Sequence, residues 1–312
     1  MKLYPLKFTP IHKPKIWGGE QWLISAYGED VSVVENGYLA ENDLNELVEV
    51  YMGELVGDHV YEQYGNQFPL LIKTIDAQEK LSIQVHPNDE VAWERHSSLG
   101  KEEMWYVMDA RHDSSLILGL NKDANREQLS AALQNGSLPD WMNVVKVKEG
   151  DVAHLPSGLI HALNAHVKVA EIQETSDLTY RLHDYNRPGL DGKPRELHID
   201  YALDVIDYKQ HEKPLVNYSP KQNGAVNLVE NLHFVTNLIC FNKTIERDYM
   251  PLDSFVVYIC VKGSFSLVSD EEGDMTTILM QEGEAVLLPA STEQVKLSPT
   301  TNEAKLLEVY AP

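Results

Sequence analysis

The sequence predicts a mainly β protein built as two barrel-like β modules with a few inserted helices. Three observations carry this expectation. Short apolar, β-branched runs separated by turn residues recur along the chain, the pattern of a sandwich or barrel. Beyond a polar stretch at 213–223 almost every segment reads as strand. An internal repeat also relates the two halves. Glu149-Gly150-Asp151-Val152-Ala153-His154-Leu155-Pro156 matches Glu282-Gly283-Glu284-Ala285-Val286-Leu287-Leu288-Pro289 with the same Gly-to-Pro interval, as expected of two related modules.

Taken in order, residues 1–30 are broken up by Pro5, Pro10 and Pro14. Ile11 to Gly19 reads as a loop ending in a glycine pair. Residues 41–63 read as helix, with Leu44, Leu47, Val48 and Tyr51 at helical spacing. Leu70 to Val85 reads as strands broken near Asp76. Trp105–Val107 and Leu116–Leu120 form a hairpin around Arg111-His112-Asp113-Ser114. Asn125–Leu133 is helical, capped by Asn121 or Asp123 and stopped by Gly136. Short strands follow at 144–147, 153–155, 167–172 and 179–182, then a loop at 187–193. A helix spans 195–205, with Leu197, Tyr201 and Val205 on one face. Later strands fall at 234–241, 255–262, 265–268, 277–279, 285–288 and 306–310. The expected domains are 1–215, a metal-binding module with short helical insertions, and 222–312, a degenerate β module. In the repeat register His161 falls opposite Gln294, so the second module lacks that ligand.

The chain has 312 residues, 43% of them hydrophobic, enough for a real core. Lys plus Arg number 26 and Asp plus Glu 48, a net charge of 26 − 48 = −22. That balance argues against nucleic acid or an anionic membrane as partner, and an anionic substrate needs a local basic pocket. Cys240 and Cys260 are too few for a disulfide framework. There is no apolar run of about 18 residues, and Met1 to Ile16 has no apolar core of signal-peptide length, so a cytoplasmic protein is expected.

Metal-type ligands stand on separated strand-like segments. Gln84 and His86 are two apart, so a strand points both to one face. Glu103 and His161 complete the set if a barrel brings their strands together. Two imidazoles, a carboxylate and an amide oxygen suit a borderline divalent ion such as zinc, one per catalytic domain. Lys101 and Glu103 share a face if extended, and Trp105 continues it into the core. The stretch Glu171 to Arg187 is too polar to bury without a role. In it, Arg181 is a fixed cation suited to a phosphate or a developing oxyanion. His154, His166 and His183 read as structural.

Gly150, Pro156, Gly158 and His161 stand at the spacing of the second cupin motif, with Asn164 one position short of that family's usual asparagine. The resemblance implies that the two modules are cupin-like jelly-roll β-barrels. Gln84-Val85-His86 stands where cupins usually carry His-x-His, so the glutamine is a departure. Gln84-Val85-His86-Pro87-Asn88-Asp89, Gly100-Lys101-Glu102-Glu103-Met104-Trp105, Gly158-Leu159-Ile160-His161-Ala162, Ser176-Asp177-Leu178-Thr179-Tyr180-Arg181 and Ile16-Trp17-Gly18-Gly19 together resemble type I mannose-6-phosphate isomerases over residues 5–200. The trailing β module agrees with the family's short bacterial form.

That resemblance implies zinc ligation by Gln84, His86, Glu103 and His161 and a catalytic role for Arg181. It also implies proton handling by Lys101 and Glu171, and substrate binding by Arg181, Lys101 and Asp177. The implied reaction interconverts mannose 6-phosphate and fructose 6-phosphate through a cis-enediol, with a small sugar phosphate as the partner. Arg181, Arg187, Lys101 and Lys168 all remain candidates for the phosphate. Two alternatives are another metal cupin enzyme and a non-catalytic sugar-phosphate-binding cupin. The trio Lys101, Glu171 and Arg181 argues for turnover, since binding alone needs no proton-transfer group.

Overall fold

The repeat of short β-branched runs folds into four principal sheets, and the chain divides into two compact units. The computed structural model describes residues 2–271 and 274–312. One unit comprises residues 12–21 and 73–216, the other 1–11, 22–72 and 217–312.

The unit of residues 12–21 and 73–216 is built on two sheets. The first orders, within this unit, residues 12–15, 18–21, 73–77, Val167–Glu174, Glu103–Ala110 and Val152–Leu155. The second orders Tyr180–His183, Ile83–Val85, His161–Leu163, Ser115–Leu120 and Met142–Lys146. Glu103–Ala110 runs antiparallel to both of its neighbours. Side chains alternate along it, so Glu103, Trp105 and Val107 share one face. Trp105, Val107, Ile75, Ala77, Leu116, Leu118, Leu155 and Val169 form one apolar cluster. A second cluster gathers Ile83, Val85, Leu120, Leu129, Ile160, Tyr180 and Ala202.

Four sequence expectations change here, the first being the loop expected at 11–19, which is instead the strands Ile11–Lys15 and Gly18–Ile24. Segments 103–110 and 115–120 do not pair as a hairpin. The turn after Ala110 carries the chain from the first sheet to the second, where Ser115–Leu120 pairs with His161–Leu163 and Met142–Lys146. The helix Arg126–Asn135 is capped by Asn125, not by Asn121 or Asp123. Asn125 and Gln128 form a reciprocal capping box, and Gly136 closes the helix in the left-handed region as expected. The last helix of this unit is shorter, Ile199–Val205, and buries Ala202 and Leu203 while Leu197 and Tyr201 lie exposed.

In the other unit a five-stranded sheet orders Gly224–Glu230, Val235–Phe241, Ala304–Tyr310, Val256–Lys262 and Ala285–Leu288. A four-stranded sheet orders Ile245–Asp248, Gln294–Pro299, Ser264–Glu271 and Asp274–Gln281. Its core gathers Phe241, Tyr258, Phe265, Met280 and Leu306. The strands at 224–230, 245–248 and 294–299 were not legible in the sequence. The expected helix at 41–63 is three helices, Leu44–Tyr51, Gly53–Val56 and Asp58–Tyr64, broken at Met52 and Gly57 where φ turns positive. The repeat is visible in the backbone. Gly150 and Gly283 each take φ near 90° before a strand, and each donates its N–H to an adjacent strand, to Val107 O and Cys260 O respectively. Gln294, opposite His161 in the repeat, is exposed. Among the described residues no helix is long and apolar enough to cross a membrane.

Candidate active site

The ligand-bearing segments converge between the two sheets of the 12–21 and 73–216 unit. Gln84 and His161 are direct partners across the second sheet, and Arg181 lies opposite Gln84 on its other side. Glu103 opens its strand in the first sheet, between Leu155 and Gln173.

Local chemistry explains how His86 and Glu103 meet. Asn88 caps the helix Asp89–His96 by accepting from Val91 N–H, which turns the chain back after the ligand strand. Gly100 then lies against the start of that helix, where a Cβ would sit 2.6 Å from Asp89 N. Asp89 Oδ1 accepts from Gly100 N–H at 2.7 Å, and Lys101 N–H donates to Pro87 O at 3.1 Å. On the other side Gly158 N–H donates to His86 O at 2.9 Å. Gly158 has φ of +88°, and a Cβ there would press on Val205 O at 2.8 Å, so the motif needs glycine at this turn.

His86, Glu103 and His161 are fully buried, and one ligand atom from each falls within 4.8 Å of the others. The Nδ1–H of His86 donates to Leu178 O and that of His161 to Leu159 O, both at 2.8 Å. Each ring therefore turns a bare Nε2 inward, the tautomer a metal-binding imidazole requires. Glu103 Oε1 lies 3.2 Å from His161 Nε2, and Glu103 Oε2 lies 3.7 Å from His86 Nε2. His86 Nε2 and Glu103 Oε1 are buried without a hydrogen-bond partner, a costly state unless a cation joins them, and Glu103 Oε2 has the Lys101 ammonium beside it. Burial, helped by nearby Lys101, holds His86 well below the usual histidine range. Burial lowers His161 to about 4. Both rings are therefore neutral and able to ligate. Burial, reinforced by Glu171, raises Glu103 to about 7. Gln84 donates its amide Nε2–H to His161 Nε2 at 3.4 Å, and its Oε1 accepts from Ser82 Oγ at 3.3 Å. The donor set fits one divalent cation.

Beside this cluster runs a chain of buried charges. Lys101 Nζ lies 2.9 Å from Glu103 Oε2 and 3.8 Å from Glu171 Oε1. Lys73 Nζ lies 2.8 Å from Glu171 Oε1 and 3.8 Å from Glu20 Oε2. Trp105 Nε1–H donates to Glu171 Oε2 at 2.5 Å. Burial alone would raise the Glu171 carboxyl, but Lys73 and Lys101 together hold it below its ordinary value, so it is ionised. Lys73 stays charged despite burial because Glu171 and Glu20 flank it.

A cavity of about 350 Å³ opens onto this chain, lined by Gln84, Lys101, Glu171, Asp177 and Arg181 among others. Every sequence-derived site residue thus either lines the cavity or sits in the buried trio beside it. Arg181 is fixed by Nε–H to Ser82 Oγ at 3.3 Å and Nη1–H to Glu196 O at 2.9 Å. Two phosphate candidates fall elsewhere. Lys168 lines a separate groove with His12 and Asp76, and Arg187 pairs with Asp184 outside the lining. His154 pairs with Glu102 at 2.6 Å. Sequence reasoning missed Lys73, Glu20, Arg195 and His198, all of which line the cavity. Lys73 carried a signal: it is the one charge in the run Phe68 to Ile75, where burial without a partner is costly.

Comparison with known proteins agrees with this geometry. Residues 7–133 match the family model for the phosphomannose isomerase type I catalytic domain. The chain is 32% identical to the mannose-6-phosphate isomerase ManA of Bacillus subtilis over 317 aligned residues, covering 95% of this chain and 96% of that protein. It is 36% identical over 215 residues to the mannose-6-phosphate isomerase of Streptococcus mutans, covering 64% of this chain and 66% of that one. The crystal structure of the Bacillus subtilis mannose 6-phosphate isomerase superposes with a TM-score of 0.84 at 29% identity, over 98% of this chain and 99% of that one. With its ligand cluster, its buried charge chain and relatives that align end to end, the chain belongs to the type I phosphomannose isomerase family.

Proposed function

We propose that the cavity beside Gln84, Lys101, Glu171 and Arg181 interconverts mannose 6-phosphate and fructose 6-phosphate through a cis-enediol. The observation that carries the reading is the buried, mutually facing set of His86 Nε2, His161 Nε2 and Glu103, in which His86 Nε2 and Glu103 Oε1 find no hydrogen-bond partner, next to an ionised carboxylate in a sugar-sized cavity. His86, Glu103, His161 and Gln84, its amide turned so that Oε1 faces the cluster, would hold one zinc ion. When bound, that ion supplies Lewis-acid polarisation of the sugar's C1 or C2 oxygen.

The side chains divide the remaining work. Glu171 is in its base form and accepts the proton from C2, then returns it to C1. Lys101, an ammonium 3.8 Å from Glu171, supplies and takes back the proton on the sugar oxygen. Arg181, directly across from Gln84, stabilises the negative charge that builds on the enediolate. Asp177 lines the same cavity and binds sugar hydroxyls. Lys73 and Trp105 fix Glu171 in place and keep it ionised.

The test is turnover. Purified protein is incubated with mannose 6-phosphate in deuterated water, and fructose 6-phosphate is followed by NMR before chelation, after it, and after zinc is restored. The reading expects product with the C2 proton carried to C1, except where the Glu171 carboxyl has exchanged it for solvent deuterium, with loss on chelation and recovery with zinc. Binding of mannose 6-phosphate without product would favour a sugar-phosphate-binding protein instead. A rate that survives chelation would remove the metal from the reaction.

A further inference from the structure

We propose that Arg195, with Arg181 beside it, forms the subsite that grips the phosphate group of the substrate, an assignment that rests on the isomerase reading above. Arg195 enters from the loop after the 180–183 strand and lines the same cavity as Arg181 and Lys101. It is clamped from behind. Its Nε–H donates to Asp184 Oδ2 at 2.7 Å and its Nη2–H to Asp184 Oδ1 at 2.6 Å. The same buried carboxylate also receives Arg187, through Nε–H at 3.0 Å and Nη2–H at 2.9 Å. One carboxylate therefore anchors two guanidiniums in a fixed orientation, and a third, Arg181, stands near both.

Three guanidiniums, Arg181, Arg187 and Arg195, thus gather around one buried carboxylate, Asp184, with Asp177 near Arg181. Burial, and then the neighbouring Arg195, hold the Arg181 guanidinium below its usual range, consistent with the two cations standing side by side. The donors are also unspent. Arg181 uses Nε and Nη1, and Arg195 uses Nε and Nη2, so Arg181 Nη2 and Arg195 Nη1 have no protein acceptor among the described residues. A phosphate dianion offers the oxygens and the charge that both lack. In a chain of net charge −22, such a local cationic corner is what draws in a dianion against the overall field.

The order of residues fits a phosphorylated sugar. Gln84 stands at the buried cluster, Arg181 is its direct partner across the sheet, and Arg195 adjoins Arg181. A substrate whose reacting carbons lie at Gln84 and Glu171 therefore ends toward Arg195. Arg181 thus stands between the enediolate and the phosphate, where it can serve both, and the far end of the substrate falls to Arg195 on the 187–198 segment.

The deciding comparison is wild type against Arg195→Gln and Arg195→Lys, with mannose 6-phosphate, unphosphorylated mannose and inorganic phosphate as probes. For Arg195→Gln, kcat/KM on mannose 6-phosphate should fall about 30-fold or more, mainly through KM, as for loss of one buried charge-paired contact. Turnover of unphosphorylated mannose should stay within about threefold, and competitive inhibition by inorganic phosphate should weaken about tenfold. Arg195→Lys should recover part of the loss, because a point charge replaces a fork. If Arg195→Gln does not fold by circular dichroism, Arg195→Lys carries the same comparison. Equal losses on the phosphorylated and unphosphorylated sugars, or unchanged inhibition by phosphate, would overturn the assignment. If the wild type turns over no mannose 6-phosphate, the isomerase reading fails by itself. Calorimetric titration of inorganic phosphate into wild type and variant then decides the subsite: weaker binding in the variant supports it, and equal binding refutes it.

Discussion

Replacing Lys73 by methionine isolates the buried charge chain from the rest of the site. Lys73 and Glu171 are both almost fully buried and 2.8 Å apart. At an effective dielectric near 20, that separation corresponds to a gross attraction of about 6 kcal/mol, and Lys101 at 3.8 Å adds about 4 kcal/mol. Methionine keeps the volume and removes the charge, so Glu171 keeps Lys101 and the Trp105 N–H but loses its main partner. The net cost should be about 3 kcal/mol, at the low end for a broken buried ion pair because partners remain. A second readout follows from the titration. Glu171 is held below its ordinary value, so its contribution to stability is present above that value and is lost as pH falls through the folded one. Without Lys73 the carboxyl rises, and the acid limb of the pH–rate profile moves to higher pH. Urea unfolding at neutral pH and the pH profile of kcat test both, and Lys73→Met combined with Glu171→Gln should cost less than the sum of the single changes. A Lys73→Met protein as stable as wild type with an unmoved acid limb would refute the reasoning.

Three further outcomes follow. His161→Ala should lose bound metal, measured by mass spectrometry, together with activity, whereas Arg181→Ala should keep the metal and lower kcat by about 100-fold or more. Gly158→Ala should lower stability by about 1–3 kcal/mol in urea unfolding, since φ is +88° and the new methyl meets Val205 O. Glu174 is buried, and burial followed by the nearby Asp89 raises its carboxyl to about 8. It is therefore protonated in the fold at neutral pH. Its contribution is complete below the ordinary carboxylate range and declines by about 1.4 kcal/mol per pH unit as pH rises toward 8. Glu174→Gln mimics the protonated form, so its stability should exceed wild type increasingly from pH 5 to pH 8 in thermal melts.

The convergence of His86, Glu103 and His161 was legible because chemistry-bearing residues stood at spacings that packing does not require. Gln84 and His86 share a strand parity, and Gly158 precedes His161 at a fixed interval. The 103–110 and 115–120 strands were misread as a hairpin because their turn is polar and short in either case. Nothing local distinguishes pairing from a crossing between sheets when both segments are apolar on both faces. The helix before Val205 was overextended because Leu197 and Tyr201 keep helical spacing while remaining exposed. Lys73 escaped notice because its partner, Glu171, lies on a strand 98 positions away, and only the sheet order brings the two together. Arg195 escaped because it read as the first residue of a 195–205 helix, next to a loop rich in glycine, proline and charge. Its role depends on Asp184, whose burial is a property of the fold.

The most direct test of the account is anomalous diffraction at the zinc edge from a crystal of the zinc-loaded protein. The account predicts one strong peak in the cavity wall, within ligand distance of His86 Nε2, His161 Nε2 and a Glu103 oxygen, with Gln84 completing the set. No peak there, or a peak held by other residues, would contradict it.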